Sequence, residues 1–266
     1  MEYLDKYIPK EYLALKINYC KTQLQNLPKV TMHENTVNGT RKTRLMVDDH
    51  RYNLNSANGQ KYYNAMLRRN DLEKQLKVYE AIWEYHYGTP PAFYIPPKII
   101  KTLKINDSEN AVLDKSFFDS LKNDANSKYP KPMLYPFNGI QYRSAAERDI
   151  GIFYTEMGIP FKYEPEVYLK GMTKPAYPDF VLYIPELDTC KFHEHYGLMN
   201  LSNYVRDVKI KCGTYSDAGL LIDQDVYFTY NTEGCPLDIR YLAAKLNASV
   251  FGTLTGGNEW IQNETL

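Results

Sequence analysis

Pro178-Asp179-Phe180-Val181-Leu182-Tyr183-Ile184 is an apolar run with a single acid at its head, and Pro185 closes it. Its length, its β-branched and aromatic content and its flanking prolines predict a buried strand. Working outward, Phe161, Tyr163, Val167 and Leu169 alternate with Lys162, Glu164, Glu166 and Tyr168, which predicts an earlier strand. Gly171 to Pro175 reads as the turn between them. Residues 190–195 predict a third strand, ended near Gly197. Ser144-Ala-Ala-Glu147 opens a helix whose inner face is Ala146, Ile150, Phe153 and Met157, stopped by Gly158 and Pro160. Residues 203–218 predict another helix, ended at Gly219, and residues 226–230 a fourth strand. The order is helix, three strands, helix, strand. It predicts an α/β fold with a four-stranded mixed sheet flanked by helices.

The chain before this segment is patterned less sharply. A helix is expected over residues 10–24. Two or three short strands follow over residues 30–55, with turn signals at Asn38-Gly39 and Asn58-Gly59. A long helix over residues 61–87 carries the stripe Leu72, Leu76, Tyr79, Ile82, Trp83 and His86, and Gly88 ends it. Pro90, Pro91, Pro96 and Pro97 make a stiff connector, and a short helix is expected over residues 112–122. The domain boundary is placed at 139/140. It separates a smaller α+β or mostly helical module, residues 1–139, from the α/β domain, residues 140–266. The first part has a net charge of +6 and the second of −6, although the whole chain is neutral, with 32 basic and 32 acidic residues. This split suggests that the first part approaches a polyanion and the second holds cations. Lys42 and Arg44 in the strand region, and Arg68 and Arg69 ahead of the helical stripe, are the candidate phosphate contacts. A solvated face is their ordinary alternative.

Of the 266 residues, 44% are hydrophobic and 24% charged, which is ordinary for a globular protein. No apolar run approaches the roughly 18 residues of a membrane span, and the N-terminus has no apolar signal-peptide core. The four cysteines, Cys20, Cys190, Cys212 and Cys235, are widely spaced. That argues against a disulfide framework or a zinc knuckle and for reduced thiols in a cytoplasmic protein. His193-x-His195 places two imidazoles on one strand face, but no Cys/His cluster accompanies them.

Several pieces then fall in order: Arg143-Ser144 with Glu147, Tyr163-Glu164, Pro178-Asp179-Phe180, Glu194-His195-Tyr196-Gly197 with Met199, and Lys211 with Tyr215. Together they cover about a third of the chain. The segment resembles the PD-(D/E)xK nuclease superfamily, in particular an uncharacterised branch with R-S-x-x-E, Y-E, P-D-F, E-H-[FY]-G-x-M and a later lysine and tyrosine four residues apart. The resemblance implies a restriction-endonuclease-like αβββαβ core. It implies Mg²⁺ or Mn²⁺ on Asp179 and Glu194, hydrolysis of DNA as an endonuclease or an exonuclease, and Lys211 as the cationic partner. Two hard carboxylates can hold such a cation, which polarises phosphate and acidifies bound water. A lysine can then balance the anionic transition state.

The common signature puts lysine two positions after Glu194, where this chain has Tyr196. Tyr204, Val208, Lys211 and Tyr215 share one helix face, so a lysine on an otherwise inward stripe can take that place. Glu147 fits both a capping box and a metal-proximal acid. His195 is part of the resembling motif and a candidate catalytic residue, and Arg143 a candidate phosphate contact. Glu164 lies on the side of its strand away from the apolar face. RNA stays open as a substrate. A nucleic-acid-binding protein on a nuclease fold is the alternative function, and a chance match is the third. No motif specifies the oligomeric state.

Overall fold

The run 180–184 forms the second strand of a four-stranded sheet, and all five of its residues are buried. The computed structural model describes residues 2–37, 40–93, 96, 98–128, 130–197, 202–232 and 234–255. Its first elements are α1 (Glu2–Tyr7), α2 (Lys10–Asn26), β1 (Thr31–Val37), β2 (Thr40–Val47), β3 (His50–Asn53) and α3 (Ala57–Tyr87). Then come β4 (Thr102–Lys104), β5 (Asn110–Val112), α4 (Lys115–Ser120), β6 (Pro136–Phe137) and β7 (Ile140–Gln141). The last are α5 (Ala145–Glu156), β8 (Phe161–Tyr163), β9 (Phe180–Ile184), β10 (Thr189–Tyr196), α6 (Ser202–Asp217), β11 (Val226–Tyr230) and α7 (Ile239–Thr255). The chain divides into two compact units, residues 13–95 and residues 1–12 with 96–266.

In the 13–95 unit, β1, β2 and β3 form an antiparallel sheet that α3 packs against. Asp48 and Asp49 turn the chain from β2 to β3 with φ of 44° and 65°, a left-handed conformation that aspartate tolerates better than most residues. Asn38-Gly39 lies outside the described residues. The turn expected at Asn58-Gly59 is corrected: both residues lie in the first turn of α3. Ser56 caps that helix, its Oγ accepting from the Gly59 backbone N–H at 3.1 Å. A Cβ on Gly59 would sit 1.8 Å from the Asn53 carbonyl oxygen, so the close approach requires glycine. Leu72, Tyr79 and Trp83 of the expected stripe are buried, whereas His86 is exposed.

In the other unit the sheet order is β11-β10-β9-β8, with β10 and β11 parallel and the other pairs antiparallel. The sheet is therefore mixed, and the fold is α/β. Phe180 and His193 face α5, whose Tyr154 ring meets both of theirs. Phe192 and Tyr196 face the opposite side, in a core shared with Val208 and Tyr215 of α6. The single strand expected over residues 161–169 is shorter. Only Phe161–Tyr163 pairs with β9, because Glu164 adopts φ 41° and turns its carboxylate inward. The chain returns to pairing at one bridge, Val167 to Ala176.

Residues 96–139, placed ahead of the boundary on their proline punctuation, count with the sheet unit. Leu103, Leu113, Phe118 and Leu121 join the core of Val181 and Phe192. The Cys190 N–H donates to the Leu113 carbonyl at 2.9 Å. Helix α7 was not anticipated, although Leu242, Leu246 and Val250 follow helical spacing and are buried. Among the described residues no helix is long and apolar enough to cross a membrane.

Lys191 is fully buried on β10. Its Nζ donates to the Gln224 carbonyl at 2.7 Å and to Thr253 Oγ1, with Asp225 at 3.8 Å. Lys191→Met should cost about 2 kcal/mol in urea unfolding, because it removes a buried donor from the Gln224 carbonyl and Thr253, while Asp225 keeps Lys101 at 3.6 Å. An unchanged midpoint would show that the lysine does not hold this corner.

Candidate active site

Asp179 and Glu194 reach the same place through strand register. Phe180, the first residue of β9, pairs with His193 and Val181 with Phe192, so the register carried one rung further would set residue 179 opposite residue 194. Opposite residues of antiparallel neighbours point to one face, with Cβ atoms about 5 Å apart. The Asp179 carboxylate accepts the His195 backbone N–H through Oδ2 at 2.7 Å. That bond holds it beside the peptide that follows Glu194. Asp179 is half-buried, and its Oδ1 has no hydrogen-bond partner among the described residues. Glu194 is fully buried.

Two groups from α6 hold Glu194. Lys211 Nζ donates to Oε2 at 2.5 Å, and the buried Tyr215 hydroxyl donates to Oε1. Lys211 thus sits on the acid, as its helical phase predicts, while Lys209 is exposed. Tyr196, standing where the signature has lysine, is buried and stacked on Phe228 with ring centroids 5.7 Å apart. The Tyr204 side chain and Met199 lie outside the described residues.

Ser144 caps α5 as the capping box expects, its Oγ accepting the Glu147 backbone N–H at 3.1 Å, but the Glu147 carboxylate takes the Ser144 hydroxyl at 3.2 Å rather than the Ser144 backbone N–H. The other Glu147 oxygen accepts the Tyr163 hydroxyl at 2.5 Å and the Arg143 N–H at 3.3 Å. Burial, then the nearby Asp179 charge, pushes the Glu147 carboxyl up to about 7. Burial also pushes Glu194 up to about 7, with Asp179 adding to it against the pull of Lys211. Asp179 therefore acts electrostatically on both glutamates, and the three acids form one cluster.

These shifts set the sign of a pH dependence in the metal-free protein. Both glutamates have folded values above the ordinary 4.5, so the folded state keeps protons that the unfolded chain has released. Stability should be fully present below pH 4.5 and fall by a few kcal/mol as pH rises to about 7. Urea unfolding across that range measures it, and Glu147→Gln should flatten part of the slope. A stability that rises over the same interval would contradict this reading.

Behind the acids, His193 and His195 share a face and a partner. The Thr229 hydroxyl lies 2.7 Å from His193 Nε2 and 2.9 Å from His195 Nδ1. His193 Nδ1 meets the Tyr154 hydroxyl at 2.7 Å, Tyr154 meets Tyr227 at 2.6 Å, and His195 Nε2 meets Asn231 Oδ1 at 3.0 Å. Burial lowers both imidazoles below their usual range and keeps them neutral. With Asn231 accepting, the donors run one way: Tyr227 to Tyr154 to His193 to Thr229 to His195 to Asn231. The His195 ring therefore supports the strand from behind, and its backbone N–H is what touches Asp179. Thr229→Val should cost about 2 kcal/mol, since it deprives two buried rings of a partner. A loss under about half a kcal/mol in chemical unfolding would show that the rings do not depend on that hydroxyl.

Arg143 is engaged within the fold. Its Nε donates to Glu164 at 2.6 Å and its Nη2 to the Asn126 carbonyl at 3.3 Å, while Lys131 holds the other Glu164 oxygen at 2.9 Å. Glu164, expected on the open side of its strand, is instead the buried centre of this cation pair. Arg68, Arg69, Lys42 and Arg44 belong to the 13–95 unit. Arg68 bonds the Tyr19 hydroxyl at 2.9 Å. Arg69 bonds the Leu24 and Leu27 carbonyls at 2.8 and 3.2 Å, closing the C-terminus of α2. Lys42 is exposed and Arg44 half-buried. Thr229, Asn231 and Asn126 carry the supporting bonds and were not anticipated. The one legible signal was Thr229, a polar residue inside the apolar strand Val226–Tyr230.

Among the described residues no three His, Cys, Asp or Glu side chains form a ready cation cage. The donors present are nevertheless hard oxygens, Asp179 Oδ1 and the Glu194 carboxylate. Mg²⁺ is commonly held by one or two carboxylates, waters and substrate phosphate. The donor set fits such an ion if Lys211 yields one Glu194 oxygen. No protein-family model, curated protein or solved structure matches this chain.

Proposed function

We propose that the protein is a Mg²⁺- or Mn²⁺-dependent nuclease that hydrolyses phosphodiester bonds in DNA. The observation that carries this reading is the Asp179 carboxylate accepting the His195 N–H at 2.7 Å, beside Glu194, whose carboxyl it influences and to which Lys211 donates at 2.5 Å. A cation on the two carboxylates would supply Lewis acidity and an acidified water. The chain's own residues do the rest. Asp179 is half-buried and is aimed by the His195 N–H, which binds one of its two oxygens. Lys211 neutralises Glu194 at rest, and with a cation held by the two carboxylates its ammonium would be available to phosphate oxygens. Tyr215 holds the second Glu194 oxygen and so fixes the orientation of the carboxylate. The element order α5, β8, β9, β10, α6, β11 is αβββαβ, the order the nuclease reading expects, and supports it to that extent.

The test is nicking of supercoiled plasmid and of a single-stranded circular DNA with Mg²⁺, with Mn²⁺ and with EDTA, beside calorimetric titration of either metal. Cation uptake with metal-dependent nicking is expected. DNA binding without nicking in either metal would instead favour a binding protein, a reading that the engagement of both Glu194 oxygens makes worth testing. Absence of both uptake and nicking would end the hydrolytic proposal.

A further inference from the structure

A hollow of about 450 Å³ opens between residues 169–177 and α6, with Lys211 and Tyr215 in its wall. Its remaining surface is mostly apolar, from Leu169, Met172, Ala176 and Ile210, with the Tyr177 ring on one side. We propose that this hollow is a nucleobase pocket, and that the substrate of the site is single-stranded DNA. The proposal rests on the nuclease reading, in which a backbone phosphate lies at Asp179 and Glu194.

Three observations carry it. The hollow is built from the chain neighbours of the acid site: Tyr177 lies two residues before Asp179, and Ile210 directly precedes Lys211. A phosphate near Lys211 therefore brings the attached base within reach of this surface. Next, Met172 and Ile210 stay 41% and 62% exposed beside a charged site. Exposed apolar surface next to fixed charge suits a ligand with an apolar face and an anionic edge, as a nucleotide has. Finally, the Tyr177 hydroxyl donates to Glu166 at 3.2 Å, which holds the ring in place as a stacking surface. Lys128 and Asn126 add a polar rim for the neighbouring backbone. A base in a duplex has both faces stacked and shows only its edges, so a pocket that reads a face takes a strand whose bases are free.

The experiment measures fluorescence anisotropy of the full chain with a labelled single-stranded oligodeoxynucleotide in EDTA. Comparison strands are an abasic strand of equal length and charge, the matched duplex and the equivalent RNA strand. The base-bearing DNA strand should bind about tenfold more tightly than the abasic strand. Tyr177→Ala and Ile210→Glu should each erase that difference, whereas Tyr177→Phe should keep it. Ile210 is largely exposed, so its substitution tests the pocket even if Tyr177→Ala weakens folding. Equal binding of abasic and base-bearing strands would overturn the pocket, as would an intact preference in both disruptive variants. A duplex or RNA strand that binds better would overturn the choice of substrate. These readings need no hydrolysis. Loss of the nuclease reading leaves a measured base preference standing, and nicking without base preference overturns the pocket alone.

Discussion

Asp179→Asn should lower Mn²⁺-dependent DNA nicking about a thousandfold while leaving the metal-free protein at pH 7.5 as stable as the parent, or more so. The loss follows from the removal of a hard anionic ligand, worth several kcal/mol of transition-state stabilisation when about 1.4 kcal/mol is tenfold in rate. The stability follows from the same charge. Asp179 raises both Glu147 and Glu194, so its neutralisation removes a repulsion that the folded state sustains. The asparagine carbonyl can still accept the His195 N–H, which aspartate accepts at 2.7 Å, so the local backbone is kept. Rate and stability should therefore move in different directions, as at a site where stability is traded for chemistry. Nicking within about threefold of the parent would remove Asp179 from the metal site. A marked fall in stability would show instead that its charge is structural.

Lys211→Met should be the most costly change on α6, and its cost should depend on pH. Glu194 has no exposed surface, and the Lys211 ammonium is its charged partner at 2.5 Å. Without the lysine, Tyr215 alone offers a hydrogen bond from α6, and ionised Glu194 is left uncompensated. That should cost about 3 kcal/mol at pH 8. Below pH 6 the loss should shrink. Glu194 already titrates near 7 in the folded protein, and losing Lys211 pushes it higher, so at low pH the carboxyl is neutral and needs no cation. Urea unfolding at both pH values reads the difference. A loss of equal size at both would mean that packing of the lysine stem, rather than charge, is what Lys211 contributes. Nicking should fall about a hundredfold in Lys211→Met and recover in part in Lys211→Arg, which restores charge in a different shape.

The sequence by itself determined the element order from Ala145 to Tyr230 and the placing of Asp179, Glu194 and Lys211. These were legible because burial imposes local periods. Alternation fixes which strand residues share a face, and a 3.6-residue period places Lys211 beside Val208 and Tyr215. The N-cap that Ser144 gives to Glu147 is likewise local chemistry, and it formed as read.

Only the tertiary structure decided what each charge does. Arg143, Arg68 and Arg69 look alike along the chain. Yet one is held by Glu164, one by a tyrosine hydroxyl and one by the last carbonyls of α2. Glu164 looked like an open strand residue until its positive φ turned it inward, and the assignment of residues 96–139 to the sheet unit depends on contacts far apart in sequence. The physical reason is the same in each case. Hydrophobic period is set within a few residues, whereas the partner of a charge, and the degree to which burial shifts it, is set by residues tens of positions away.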